Sequence, residues 1–275
     1  MLSKLLKYEF RATGRTFLPM YAILLVMSAV AHLAYSGALE RPNAIGWLQV
    51  VITLIMVMLF TAVWVITLAV IIRRFWRNLL GREGYLMNVL PVSPAQHIGA
   101  KLLTAAVWTI LSVIVSALAA WIMLGGAIDL AFEVDWPTVR AVWQEAWAGL
   151  RGERAAGLTV LMLVQGVLCC LSGLAMAILS VYAAMCIGQL TSRHRVWASI
   201  GAYLGVNIVF STVSSWIIGG RIAHYTVRPL PDEGTRTALL AINTEMLLYF
   251  AVCLLFSVAL FIACDQLMKR RLNLQ

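Results

Sequence analysis

Apolar residues run almost unbroken through six stretches of this chain, and polar residues gather in the gaps. The stretches are 17–37, 45–72, 98–124, 157–187, 197–219 and 244–266. Each reaches the roughly 18 to 20 residues that an α-helix needs to cross a bilayer. A soluble helix keeps a polar face toward water, and these runs leave none. The pattern predicts an all-α polytopic membrane protein with six transmembrane helices. Several runs exceed the hydrocarbon thickness, which predicts tilt or helical extension beyond the lipid.

The gaps carry their own patterns. In residues 2–16, LSKLLKYEFRATGRT, Leu2, Leu6 and Phe10 recur every four positions, while Lys4, Lys7, Arg11 and Arg15 form a basic stripe. That predicts an amphipathic helix lying in the lipid interface, bending into the first span near Gly14 and Pro19. The alternative is a plain extension of span one whose cations only set topology. Before the third span, Ser93, Pro94 and Gln96 read as N-cap, first helical position and capping-box partner. In the long gap 125–156, Asp135 and Pro137 open another helix signal. Trp136, Val139, Trp143, Trp147 and Leu150 then share one face. Such a helix either lies at the membrane–water boundary or packs as a lid. Residues 220–243, with Pro229, Pro231 and Gly234, read as a second outer loop. Gly201 and Gly205 form a small-xxx-small pair in the fifth span, common in any helical bundle.

Composition agrees with the pattern: 62% of residues are hydrophobic and 12% charged, against roughly 25% charged in soluble domains. The net charge of +9 is unevenly placed. The N-terminus, the 73–101 region, the 188–196 gap and the C-terminus hold 14 of the 21 basic residues, with only Glu9, Glu83 and Asp265 beside them. That side totals +11 and the alternate gaps total −2. By the positive-inside rule both termini are cytoplasmic, and the alternation holds only if all six crossings exist. The setting implied is a cell membrane. The N-terminal apolar run is longer than a cleavable signal core, so it reads as a retained first span. The cations are spread over gaps, which argues against a nucleic-acid partner. Cys169, Cys170, Cys186, Cys253 and Cys264 all lie within or at the edges of apolar runs with no CxxC. They read as small buried hydrophobes, with no metal or disulfide implied.

Catalytic signatures are missing. The chain has no GxxxxGK[ST] loop and no HExxH, and His32, His97, His194 and His224 are scattered. The spans are also poor in ionisable groups. His97 and Lys101 sit at the cytoplasmic start of span three, His32 near the outer end of span one and Asp265 at the inner end of span six. Ion-driven carriers generally place such groups near mid-membrane. Gln165, Asn207 and Ser211, with the hydroxyls up to Ser215, could line a path. Interhelical hydrogen bonds are the more common use of such groups.

The most distinctive gap is 73–96, RRFWRNLLGREGYLMNVLPVSPAQ. Span two is expected to continue as helix to about Leu80 and to end at Gly81. Beyond it, Tyr85, Leu86, Met87 and Leu90, flanked by Arg82 and Glu83, form a compact apolar patch beside opposite charges. Such a patch suits docking in a groove of another protein. The competing view is a loop that dips apolar residues into lipid.

Two segments, LLKYEFRATGRTFLPMY and LLGREGYLMNVLPVSPAQHIGAKLL, resemble the membrane-spanning permease subunits of bacterial ABC-2-type exporters. The resemblance implies a permease that pairs with a second copy or a related permease. It also implies that separate cytoplasmic ABC ATPase subunits bind ATP and magnesium, with no cofactor in this chain. On that match, Glu83, Gly84, Tyr85 and Leu86 would contact the ATPase as a coupling segment, with Arg82 and Met87 beside them. Rival readings of the residues alone are an autonomous channel or secondary carrier, and a non-transporting sensor or assembly protein.

Overall fold

The computed structural model describes residues 2–39, 46–80, 94–125, 137, 140, 144, 153–191, 194–219 and 234–270. Among them the chain is all-helical. In order come α1 (Leu2–Leu39), α2 (Gly46–Phe75) with a π-helical turn at Trp76–Leu80, and α3 (Pro94–Leu124). Then follow α4 (Glu153–Gly188), α5 (Arg195–Ser214) with a π turn at Ser215–Gly219, and α6 (Gly234–Arg270). Six stretches of the described residues are long and apolar enough to cross a membrane: Leu6–Tyr35, Trp47–Phe75, Pro94–Met123, Leu161–Gly188, Arg195–Ile217 and Asn243–Lys269. Their outward faces carry large apolar side chains, such as Met58 at 68% and Leu163 at 65% exposure. In water that surface would drive aggregation, whereas in lipid it is the ordinary solvent-facing side. This is a multi-pass membrane protein.

The chain divides into two compact units, Met1–Arg74 with Leu103–Gln144, and Phe75–Leu102 with Glu145–Gln275. In the first, buried residues follow helical spacing on each partner. Phe17, Tyr21, Leu24 and Ala31 line α1, Ile52, Met56 and Val63 line α2, and Trp108 and Ala119 line α3. Phe17 stacks on Trp108 with centroids 4.6 Å apart and planes 10° apart. A hydroxyl from each helix meets at one point: Tyr21 Oη lies 2.7 Å from Ser112 Oγ, which lies 3.1 Å from Thr67 Oγ1. Thr67 also donates to its own helix at the Val63 carbonyl, so the polar groups are satisfied locally and across the interface.

Contacts at both ends fix the helix directions. Glu9 of α1 pairs with Arg74 of α2, and Tyr35 meets Thr53, so α1 and α2 are antiparallel. Gly14 lies beside Trp108, and His32 beside Gly125, so α1 and α3 run parallel. In the second unit the Cys169 thiol donates to the Met246 carbonyl at 3.2 Å, and Gly173 lies beside Tyr249. Farther along, Cys264 lies beside Cys186, so α4 and α6 run parallel. The face of α6 at Cys253, Ser257, Leu260 and Cys264 is buried at helical spacing. The α5 helix packs on α4 and α6, and Phe210 meets Phe256 edge-on at 5.2 Å.

Two expectations change. Residues 2–16 and the first span form one unbroken helix, with Pro19 inside it, where two elements meeting at a bend were expected. A proline within a helix forfeits one hydrogen bond and costs about 3 kcal/mol. Packing on both sides offsets that cost: Glu9, Thr13, Phe17 and Tyr21 continue one buried face at spacing four. Gly14 is in van der Waals range of the Trp108 ring, 3.7 Å from where its Cβ would stand. The second change is at residues 234–243, read as loop and found as the start of α6. The sequence TALLAIN there is rich in strong helix formers, which outweigh the neighbouring prolines once Gly234 is passed. Of the expected outer helix in 125–156, Pro137, Arg140 and Gln144 are helical and exposed, and the tryptophan face lies outside the described residues.

Candidate coupling site

The expected contact residues Arg82, Glu83, Gly84, Tyr85, Leu86 and Met87 lie outside the described residues. Their two stems are described, and both are deeply anchored. On the entering side, helix continues through Leu80 as expected, but its last turn, Trp76–Leu80, is π-helical. One extra residue in a turn rotates the side chains that follow and is frequent at functional positions. Phe75 and Leu79 are buried, at 0% and 2% exposure. On the leaving side, Pro94 opens α3 as its first residue, the position the sequence assigned. His97, Ile98, Ala100 and Lys101 are then all buried, and both His97 and Lys101 are partnered.

One residue of α4 holds both stems. The ring of Tyr182 stacks on Phe75, with centroids 4.0 Å apart and planes 13° apart. Its hydroxyl donates to the Lys101 carbonyl of α3 at 3.3 Å. Tyr182 is itself buried, at 1% exposure. Stacked aromatic pairs contribute roughly 0.5–1.5 kcal/mol beyond the area they bury. The end of α2 and the start of α3 therefore both meet α4 at this side chain. Sequence reasoning missed Tyr182 because an aromatic residue inside an apolar run carries no distinguishing period.

Beside this stem, in the first unit, Glu9 and Arg74 form an ion pair at 2.5 Å, with side-chain exposures of 8% and 27%. Arg74 stands at the cytoplasmic end of the second span, where an exposed cation would be ordinary. It turns inward because the buried face of α1 places a carboxylate opposite it.

Gln165, Asn207 and Ser211 are not brought together. Asn207 donates to the Tyr203 carbonyl of its own helix at 2.8 Å, and Ser211 is exposed one turn further on. Gln165 is 23 residues before the end of α4, whereas Asn207 is 12 residues into α5. At 1.5 Å per residue those positions differ in height by about 16 Å if α5 doubles back along α4. The neighbour of Gln165 is the start of the α6 span, since Gly166 lies beside Met246. There the sequence reading overlooked Glu245. Both its carboxylate oxygens, Asn243 Oδ1 and Gln165 Oε1 are buried without a hydrogen bond among the described residues. A carboxylate so placed has the geometry to receive a cation or a hydrogen-bond donor.

No group of three or more histidine, cysteine or acidic side chains with metal-holding geometry occurs among the described residues. No protein-family model matches the chain, and neither does any curated protein or solved structure.

Proposed function

We propose that this chain is the permease subunit of an ATP-driven exporter in the cell membrane, of the ABC-2 type its two motif segments resemble. It would pair with a second copy or a related permease and take its energy from a separate cytoplasmic ATPase that binds ATP and magnesium. The observation that carries this reading is the double grip of Tyr182. A segment meant to transmit force needs stems that cannot slip, and here Phe75 before it and Lys101 after it meet one α4 side chain. ATP-driven motion of a partner seated on residues 82–87 would pull on α2 and α3 and pass to α4 through that contact. The sequence has no P-loop, and on this reading hydrolysis belongs to the partner.

The test is co-purification from native membranes with a P-loop ATPase. Glu83→Lys or Tyr85→Ala should abolish association while leaving the membrane bundle folded; association unchanged by both substitutions overturns the reading. A secondary carrier is the second reading, and Glu245 favours it, because a buried carboxylate in a span is the usual seat of a coupling ion. The purified chain alone in liposomes decides between them. Transport driven by an ion gradient without ATP, and lost in Glu245→Gln, would establish the carrier.

A further inference from the structure

Lys7, Arg11 and Arg15 recur every four residues on α1 and are all exposed. They form one column, with steps of about 6 Å along the helix axis. The column does not stop at Arg15. Leu18, Val26 and Leu33 continue it at helical spacing, with exposures of 64%, 61% and 69%. Because α1 runs unbroken from Leu2 to Leu39, both halves belong to one rigid face. That face changes from cationic to apolar within three residues. The acidic residue of the same region does not dilute it. Glu9 lies on the buried side of α1 and is neutralised by Arg74.

A phospholipid monolayer has the matching order along its normal, with phosphates directly beside acyl chains. We propose that the Lys7–Arg11–Arg15 column binds the phosphate groups of anionic phospholipids, whose chains lie along Leu18 to Leu33. Multiple cations at fixed spacing would favour lipids with net negative charge over zwitterionic ones, in which the amine opposes the phosphate. The chemistry is the same whether or not the chain transports anything, so the inference stands apart from the exporter reading.

The test uses the full chain purified from membranes holding equal mole fractions of phosphatidylglycerol and phosphatidylcholine, with retained lipids counted by native mass spectrometry. Phosphatidylglycerol should be retained several-fold over phosphatidylcholine. The preference should fall stepwise with each cation removed from the column. Lys7→Gln, Arg11→Gln and Arg15→Gln together should bring the ratio near one. Arg11→Lys with Arg15→Lys should preserve it, as should Arg140→Gln on the 125–156 segment. Raised salt should erode the preference of the unaltered chain, which requires no variant to fold. Equal retention of the two lipids by the unaltered chain overturns the proposal. So does a triple variant that keeps the preference, or one that loses a second copy of the chain with the lipid ratio unchanged.

Discussion

Phe75 and Tyr182 stack face to face although they are more than a hundred residues apart, and the Tyr182 hydroxyl reaches on to the Lys101 carbonyl. The ring and the hydroxyl can be separated experimentally. Tyr182→Phe keeps the stack and should cost about 0.5–1.5 kcal/mol, the usual net worth of one hydrogen bond. Tyr182→Ala opens a cavity against Phe75 and should cost about 3–5 kcal/mol. Thermal unfolding in detergent checks the order. On the exporter reading, Tyr182→Ala should also lower transport per ATP hydrolysed, while Tyr182→Phe should keep most of it.

The Glu9–Arg74 pair should behave as a coupled unit. Glu9→Gln leaves a half-buried guanidinium without its anion and should destabilise by about 1–3 kcal/mol. The larger penalty for breaking fully buried pairs is reduced because Arg74 keeps some contact with solvent. Replacing both by Gln and Met should cost less than the sum of the single changes. A double-mutant cycle on unfolding midpoints measures that difference.

Gly188 should not accept a side chain. A Cβ there would stand 1.9 Å from Ser199 Oγ and 2.8 Å from the Arg195 carbonyl. Gly188→Ala should therefore destabilise by about 1–3 kcal/mol through displacement of the start of α5. Adding Ser199→Ala removes the hydroxyl clash but not the carbonyl clash, so recovery should be partial. Cross-linking between engineered cysteines on α4 and α5 would report the displacement directly.

Ser112 is the shared partner of Tyr21 and Thr67 in the first unit. Ser112→Ala should cost about 0.6–1.7 kcal/mol, the range for hydrogen bonds between membrane helices. Tyr21→Phe on top of it should add little, because the Tyr21 hydroxyl keeps only its weaker contact to the Trp108 carbonyl, at 3.2 Å. Equilibrium unfolding of the three variants in mixed micelles checks this.

What the sequence made legible follows from solvent. Lipid demands about twenty apolar residues per crossing, so all six spans could be read from runs alone, with ends within a few residues for most. Backbone chemistry was legible too: Pro94 opens α3, and helix persists to Leu80. Contacts inside the membrane were not. A helix there is apolar all round, so no period marks which side faces protein, and neither Tyr182 nor the Phe17–Trp108 stack announces itself. Glu9 sat among cations and was counted only as charge, since nothing in a single sequence reveals that Arg74 lies opposite. Glu245 was passed over because its position at the edge of the sixth run resembled loop. The expected contact residues 82–87 were chosen from local pattern and resemblance, and neither depends on the parts of the fold described.

An uninterrupted α1 also acts as a depth gauge. Sliding it outward by one turn would carry Arg15 into hydrocarbon, at about 2.5–3.5 kcal/mol toward the centre. Sliding it inward would expose Leu18 to water. Because Trp108 is clamped between Gly14 and Phe17, whatever holds this rod at its level also sets how high α3 floats.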